Sequence, residues 1–160
     1  MSDRDGRAPK RTAPGAADRD PGALYHRAIV EAARAAVGSG RLTDANASAT
    51  VDNPLCGDRV TIYLRVEAER VAVLAHDVRG CLLCEAAASL IGMHAPGQRA
   101  EALRGIAAQV DGLLERGDQP TDERWRDLAM FTPVQAFKSR HRCVRLPFEA
   151  LLQALNQRGS

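Results

Sequence analysis

Strict alternation of apolar and polar residues marks the most clearly patterned stretch of this chain. The apolar positions are Val60, Ile62, Leu64 and Val66, with polar or amphipathic residues between them. This period of two is typical of a half-buried strand. A polar turn over residues 67–70 and a second apolar run over 71–78 predict an antiparallel hairpin. Because an isolated hairpin is marginally stable, we expect a third strand near residues 49–51.

Helical spacing of apolar residues appears on both sides of the hairpin. It predicts helices over residues 24–37, 81–93 and 97–116, a short amphipathic piece around Trp125 and Leu128, and a final helix from Cys143 to Leu155. Pro147 disrupts a helix interior, so we expect it in the first turn of the final helix. This order predicts an α+β fold, with a small antiparallel three-stranded sheet and helices packed on one of its faces.

The first residues of the chain differ in composition from the rest. Residues 1–21 mix charged residues with Pro, Gly and Ala and contain no large apolar residue after Met1. Such a segment buries too little surface to offset its ordering entropy. We therefore expect a disordered N-terminal tail over residues 1–21 and one folded domain over residues 22–158.

Composition narrows the function classes. The 160 residues carry a formal net charge of +2 and only 4% aromatic residues, which leaves little material for base stacking and argues against a nucleic-acid partner. No secretory segment or membrane-length apolar run is present, so we expect a cytoplasmic protein without membrane association. In a reducing compartment the four cysteines indicate metal or redox chemistry rather than a disulfide framework.

Three cysteines lie at places that favour chemistry. Cys56 lies in a Pro/Gly turn directly before a strand, and Gly57 allows Cys56 and Asp58 to face one point. Cys81 follows Gly80 where a strand gives way to a helix, and helix-terminal amides favour a thiolate. Cys143 follows the basic run 138–142, whose cations also favour a thiolate.

The remaining thiol and the histidines carry weaker signals. Cys84 lies three residues after Cys81, a spacing seen in zinc knuckles and dithiols, yet its apolar neighbours favour a small buried core residue. Among the four histidines only His141 lies close enough to a cysteine in sequence to be considered for a site.

Three thiols and one carboxylate are compatible with two kinds of centre. They fit a tetrahedral zinc site. They also fit a [2Fe–2S] cluster, in which a carboxylate is a poorer ligand than a thiolate and makes the cluster labile. No Ser-His-Asp set, P-loop or GxGxxG motif is present to indicate another chemistry.

The ordered set of motifs resembles the IscU/SufU/NifU-N family of iron–sulfur cluster assembly proteins. The set consists of Asn-Pro-Leu-Cys-Gly-Asp at 53–58, Gly80-Cys81 before an Ala/Ser-rich helix, and Arg142-Cys143 before the terminal helix. The resemblance covers roughly residues 24–155. It implies that Cys56, Asp58, Cys81 and Cys143 hold zinc, iron or a transient [2Fe–2S] cluster.

Details of the sequence resemble the SufU-like branch more than the scaffold branch. The scaffold branch has a histidine before its last cysteine, where this chain has Arg142, and a Leu-Pro-Pro-Val-Lys segment that is absent here. Residues 119–138 resemble the insertion of SufU-type members. The resemblance implies a sulfurtransferase-like role, in which Cys143 accepts persulfide sulfur from a cysteine desulfurase and passes it to acceptor apo-proteins or other assembly factors.

Two alternatives stay open at this point. Within the family, the protein is a scaffold that builds and transfers a [2Fe–2S] cluster. In a different class, it is a structural zinc module for protein binding that uses all four cysteines as ligands, and Cys84 is then essential.

Overall fold

The computed structural model describes residues 26–159, with side chains described up to residue 157. The predicted tail, residues 1–21, lies outside the described residues. The described chain forms helix α1 (Arg27–Ala35), strands β1 (Ala47–Asn53), β2 (Asp58–Glu67) and β3 (Arg70–Arg79), helices α2 (Leu82–His94) and α3 (Ala100–Arg116), two 3₁₀ segments (Glu123–Ala136 and Lys138–Arg140), and helix α4 (His141–Gly159).

The three strands form one antiparallel sheet in the order β1–β2–β3, which confirms the predicted fold class. The third strand is β1, longer than the predicted residues 49–51. Ala68 and Glu69 make the β2–β3 turn with positive φ values of 52° and 64°. The β1–β2 turn lies at the opposite end of β2, where Asn53 pairs with Asp58.

The buried core lies between the sheet and the helices. The alternating apolar residues of β2 are fully buried at Val60, Ile62 and Leu64. Helix α4 packs on β1 and β2, and α2 packs between α1 and α4. As a result, the N-terminal ends of α2 and α4 come to the end of the sheet that carries the β1–β2 turn.

The first helix ends earlier than its apolar pattern predicts. Ala36 takes the left-handed conformation with φ 44° and ends α1. The next backbone amide, that of Val37, donates a hydrogen bond of 3.0 Å to Ser89 Oγ on α2. The chain therefore leaves the helix before the predicted end at residue 37.

The expectation for Pro147 is wrong. Helix α4 begins at His141, so Pro147 is inside the helix rather than in its first turn. Proline lacks the N–H that would bond to the carbonyl four residues earlier, which is that of Cys143. The sequence predicts a helix that begins at Cys143, because the basic residues before Cys143 show no apolar periodicity.

His76 fixes the connection that follows α1 to the edge strand β3. Its Nε2–H donates a hydrogen bond of 2.7 Å to the carbonyl of Val37. Its backbone also accepts from Gly40 N–H and donates to the carbonyl of Gly38, both at 2.8 Å. Burial lowers the pKa of His76, because its surroundings disfavour the charged imidazolium.

We expect His76 to make the stability depend on pH. The folded pKa lies below the value of about 6.5 in an unfolded chain, so the unfolded chain binds the proton more tightly. The contribution of His76 to the free energy of unfolding is complete above the unfolded pKa. It is lost as the pH falls through the folded pKa. Urea titrations at pH 8 and pH 5 should give a steeper loss of unfolding free energy for the wild type than for His76→Gln. Equal losses would contradict this role.

Within residues 26–159, no helix is both long enough and apolar enough to span a membrane.

Candidate metal and sulfur site

Asn53 organises the turn that carries Cys56. The Asn53 carbonyl accepts hydrogen bonds from Cys56 N–H at 3.2 Å and Gly57 N–H at 2.8 Å. Its side-chain amide donates to Cys56 Sγ at 3.4 Å, and its Oδ1 accepts from Leu55 N–H at 3.2 Å. Gly57 closes the turn with φ +77°, a conformation that favours glycine. The turn leaves Cys56 exposed to solvent beside Leu55, which is 95% exposed.

Asp58 begins β2 directly after this turn. Its carboxyl group is buried, with 5% of the residue exposed. Its Oδ2 has no hydrogen-bond partner among the described residues. Gly80 leaves room for this carboxyl group, because a Cβ at Gly80 would lie 3.1 Å from both Cγ and Oδ1 of Asp58. The fold thus places an unpaired anionic oxygen in the interior, a costly arrangement unless a cation or donor satisfies it.

Cys81 is the N-cap residue of α2, as the strand-to-helix junction predicts. Its thiol is partly buried and lies against that of Cys143. A hydrogen bond from the Cys143 thiol lowers the pKa of Cys81, and the backbone amides of Cys84 and Leu83 lower it further. The arrangement favours a thiolate at Cys81.

Cys143 lies in the first turn of α4 and is fully buried, with 0% exposed. The hydrogen bond to Cys81 raises the pKa of Cys143, and burial raises it further. The basic run 138–142 is expected to favour a Cys143 thiolate, but Arg142, which directly precedes Cys143, is held by an acidic residue. Arg142 forms an ion pair with Glu149, with 3.3 Å between Nη2 and Oε1.

The structure brings three of the four predicted site residues into one tight cluster. One ligand atom from each of Cys56, Asp58 and Cys143 lies within 4.8 Å of the other two. Cys81 lies at the edge of this cluster, through its contact with Cys143. We refer to Cys56, Asp58, Cys81 and Cys143 together as the thiol cluster.

Cys84 and His141 are not among the ligand atoms that cluster within 4.8 Å in the described chain. Cys84 is fully buried in the core, and burial raises the pKa of its thiol. The imidazole of His141 forms a hydrogen bond of 3.0 Å with the Gln135 carbonyl. His141 therefore joins the start of α4 to the longer 3₁₀ segment, Glu123–Ala136.

Sequence reasoning did not assign a role to Asn53. The signal was present, because asparagine commonly accepts a hydrogen bond from the backbone two residues on, and here that residue is Leu55. Its bond to the Cys56 sulfur also needs the closed turn, which the pairing of Asn53 with Asp58 helps to fix.

The donor set of the thiol cluster fits a bound cation. Thiolate sulfur and carboxylate oxygen are the ligands that zinc accepts in proteins. A cation at this point would also satisfy the unpaired Asp58 Oδ2. The thiol and carboxyl donors of the site thus agree with a divalent metal such as zinc.

Adding one methyl group at Gly80 should weaken metal binding without removing a ligand. In Gly80→Ala the new Cβ would press on the Asp58 carboxyl group and on Cys84 Cβ, which lies 3.2 Å away. We expect zinc affinity to fall about 10–100-fold, as when other supports of ligands are lost. A competition titration with a chromogenic chelator measures this.

Gly105→Ala is the matched control for this substitution. Gly105 lies in α3, where an added Cβ meets no atom within 4 Å. That variant should keep wild-type affinity and gain about 0.5–1 kcal/mol in stability. Equal zinc affinity in Gly80→Ala and Gly105→Ala would show that the Asp58 carboxyl group does not depend on the space at Gly80.

The fold and the thiol cluster define a small α+β domain that gathers thiols and a carboxylate at one end of its sheet. The chain belongs to the family described as the NifU-like N terminal domain, whose model matches residues 24–144.

Two curated relatives differ in the function that their names state. The iron–sulfur cluster assembly scaffold protein IscU of Thermotoga maritima is 26% identical over 134 residues, covering 84% of this chain and 94% of that protein. The zinc-dependent sulfurtransferase SufU of Bacillus subtilis is 24% identical over 130 residues, covering 80% of this chain and 86% of that protein.

A solved structure shares both sequence and fold with the chain. The N-terminal part of a nitrogen-fixing NifU-like protein from Brucella abortus is 31% identical and superposes with a TM-score of 0.80. The match covers 84% of this chain and 94% of that one. The family assignment made from the cysteine motifs is confirmed by these comparisons.

Proposed function

We propose that this protein acts in iron–sulfur cluster assembly by receiving sulfur at its thiol cluster from a cysteine desulfurase. The observation that carries the proposal is the approach of Cys56, Asp58 and Cys143 to within 4.8 Å around an unpaired carboxylate oxygen. The IscU and SufU relatives support the assembly role.

Zinc or iron is the resident metal in this proposal, held by Cys56, Asp58, Cys81 and Cys143. When bound, such a metal stabilises the thiolate forms of its ligands. A [2Fe–2S] cluster is cargo that the same residues would carry transiently. The four-cysteine structural zinc module is disfavoured, because Asp58 rather than Cys84 shares the cluster with Cys56 and Cys143.

The sulfur enters the site at Cys56 and then moves to Cys143. Cys56 is exposed, whereas Cys143 is fully buried and inaccessible to a partner's persulfide in this conformation. In the first step the Cys56 thiolate attacks the terminal sulfur of the desulfurase persulfide. The bond between that sulfur and the desulfurase cysteine breaks, and the desulfurase leaves as a thiolate.

The second step passes the sulfur within the cluster. The Cys143 sulfur attacks the terminal sulfur of the Cys56 persulfide, the Cys143 proton passes to the neighbouring Cys81 thiolate, and Cys56 leaves as a thiolate. Each step transfers one sulfane sulfur between cysteines, with no net oxidation or reduction. Cys143 is the final acceptor in this scheme, and its burial protects the persulfide from water and from other thiols.

Peptide mapping of persulfides tests the order of these steps. The variants Cys56→Ser and Cys143→Ser are treated with desulfurase and cysteine, alkylated and digested with trypsin. Cys56 then lies in the peptide of residues 42–59 and Cys143 in that of residues 143–145. We expect Cys143→Ser to carry persulfide on Cys56, and Cys56→Ser to lose most persulfide from Cys143. Full loading of Cys143 in Cys56→Ser would overturn the role of Cys56 as first acceptor.

A further inference from the structure

Cys84 is the one cysteine without a part in the proposed function. It is fully buried, and it lies three residues after Cys81. Cys81 caps the helix, and Cys84 is the third residue of that helix. Cys81 makes no side-chain capping hydrogen bond. Its sulfur nevertheless lies beside the backbone amides of Leu83 and Cys84, so it neighbours the residue that carries the second thiol.

We propose that Cys81 and Cys84 form a redox-active dithiol that closes to a disulfide when it reacts with a low-molecular-weight disulfide. The Cys-x-x-Cys spacing at a helix start is that of disulfide oxidoreductases. The proposal does not depend on sulfur transfer from a desulfurase.

The exposure of the two thiols sets the order of reaction. Cys81 is partly exposed, and Cys84 is buried behind it. The Cys81 thiolate attacks the small disulfide and forms a mixed disulfide, releasing one thiolate. The Cys84 sulfur then attacks Cys81 Sγ, the Cys81–Cys84 bond forms, and the second small thiol leaves with the proton of Cys84. Two electrons pass from the protein to the small disulfide.

Cys143 competes with Cys84 for Cys81, since its thiol also lies beside that of Cys81. A Cys81–Cys143 disulfide would link the start of α2 to the start of α4. A Cys81–Cys84 disulfide would link two residues at the start of α2 alone. Gly80 leaves the space beside Cys84 free of another side chain, because a Cβ there would lie 3.2 Å from Cys84 Cβ.

Closure would remove Cys81 from the thiol cluster and leave Cys56, Asp58 and Cys143 in place. The dithiol would therefore connect the redox state of the surroundings to metal retention. Oxidation should weaken metal binding reversibly, with full recovery after reduction.

Tryptic mapping separates the possible disulfides, because Cys81 and Cys84 share the peptide of residues 80–99. A Cys81–Cys84 disulfide makes this peptide lighter by two hydrogen atoms. A Cys81–Cys143 disulfide instead joins it to the peptide of residues 143–145. The full chain is equilibrated with mixtures of reduced and oxidised glutathione, quenched with acid, alkylated and digested.

We expect the wild type and Cys143→Ala to accumulate the closed 80–99 peptide, and Cys84→Ala to lose it and to carry glutathione on Cys81 instead. Circular dichroism checks that Cys84→Ala is folded, and Cys84→Ser provides a second variant of the same position. Cross-linking of the 80–99 and 143–145 peptides as the main product, or no oxidation of Cys81 at any ratio, would overturn the proposal.

Discussion

Cys143→Ala is expected to lose zinc affinity by more than about 100-fold, since even the loss of a group that only supports a ligand costs about 10–100-fold. Cys143 shares the cluster with Cys56 and Asp58, and its thiol also contacts Cys81. Removing it takes one sulfur ligand from the cluster, so that a cation beside the unpaired Asp58 Oδ2 would have fewer donors to hold it. Competition with a chelator of known affinity measures the loss at constant pH.

Cys84→Ala is the control that gives this result its meaning. Cys84 is as buried as Cys143, and both changes remove one thiol from the first turn of a helix. Under reducing conditions we expect Cys84→Ala to bind zinc nearly as tightly as the wild type. If Cys84→Ala loses as much affinity as Cys143→Ala, a four-cysteine structural zinc module becomes the better description.

Trp125→Ala should destabilise the domain by about 3–5 kcal/mol, the range measured for large aromatic residues removed from cores. Trp125 is fully buried. The centroid of its ring lies 5.2 Å from that of the His94 ring and 6.1 Å from that of the Phe148 ring. Its Nε1–H donates a hydrogen bond of 2.8 Å to Gln98 Oε1. Trp125 thus joins the 3₁₀ segment to the C-terminal end of α2 and to α4. Urea unfolding followed by circular dichroism measures the change.

The conservative variant Trp125→Phe separates packing from hydrogen bonding. It keeps an aromatic ring but removes the indole N–H, so the lost bond should account for about 0.5–1.5 kcal/mol. Because small domains are stable by only about 5–15 kcal/mol, the alanine variant should unfold at a clearly lower urea concentration than the phenylalanine variant. A loss below about 1 kcal/mol in Trp125→Ala would contradict the role of Trp125 in the core.

The sheet could be predicted because its signal is local. Alternation in β2 follows from one buried face, and the short polar turn before β3 allows only an antiparallel return. The start of α4 could not be read in the same way. Residues 138–142 are mostly basic, and their helical structure depends on packing and on the His141 bond to the Gln135 carbonyl rather than on an apolar period. For this reason the sequence predicts a helix start that is too late in the chain, which places Pro147 in the first turn.

The residues of the candidate site could be named from their motifs, but their positions relative to one another could not. Cys56, Asp58, Cys81 and Cys143 come from three separate parts of the sequence, and only the sheet register and the packing of α2 and α4 bring them together. The burial of Cys143 is a property of the folded core, so the motifs offer no reason to place the first proposed step at Cys56. The basic residue before Cys143 indicated a stabilised thiolate there, whereas Arg142 pairs with Glu149.

Differences in exposure give the thiol cluster its proposed direction of transfer. In the proposed function, the exposed Cys56 on a turn held by Asn53 meets the partner, and the buried Cys143 in the first turn of α4 receives the sulfur. Leu55 beside Cys56 offers an apolar side chain to whatever approaches that turn. In the proposal, the cysteines that hold the metal therefore also carry the transferred sulfur.

Native mass spectrometry of the full chain, before and after incubation with a cysteine desulfurase and cysteine, tests the central claim most directly. The protein is purified without oxygen and measured intact, so that metal and sulfur are counted on the same molecules. We predict one zinc or iron ion per chain before incubation and one added sulfur atom afterwards, removed by a reductant. A chain that binds no metal and gains no sulfur would contradict the account.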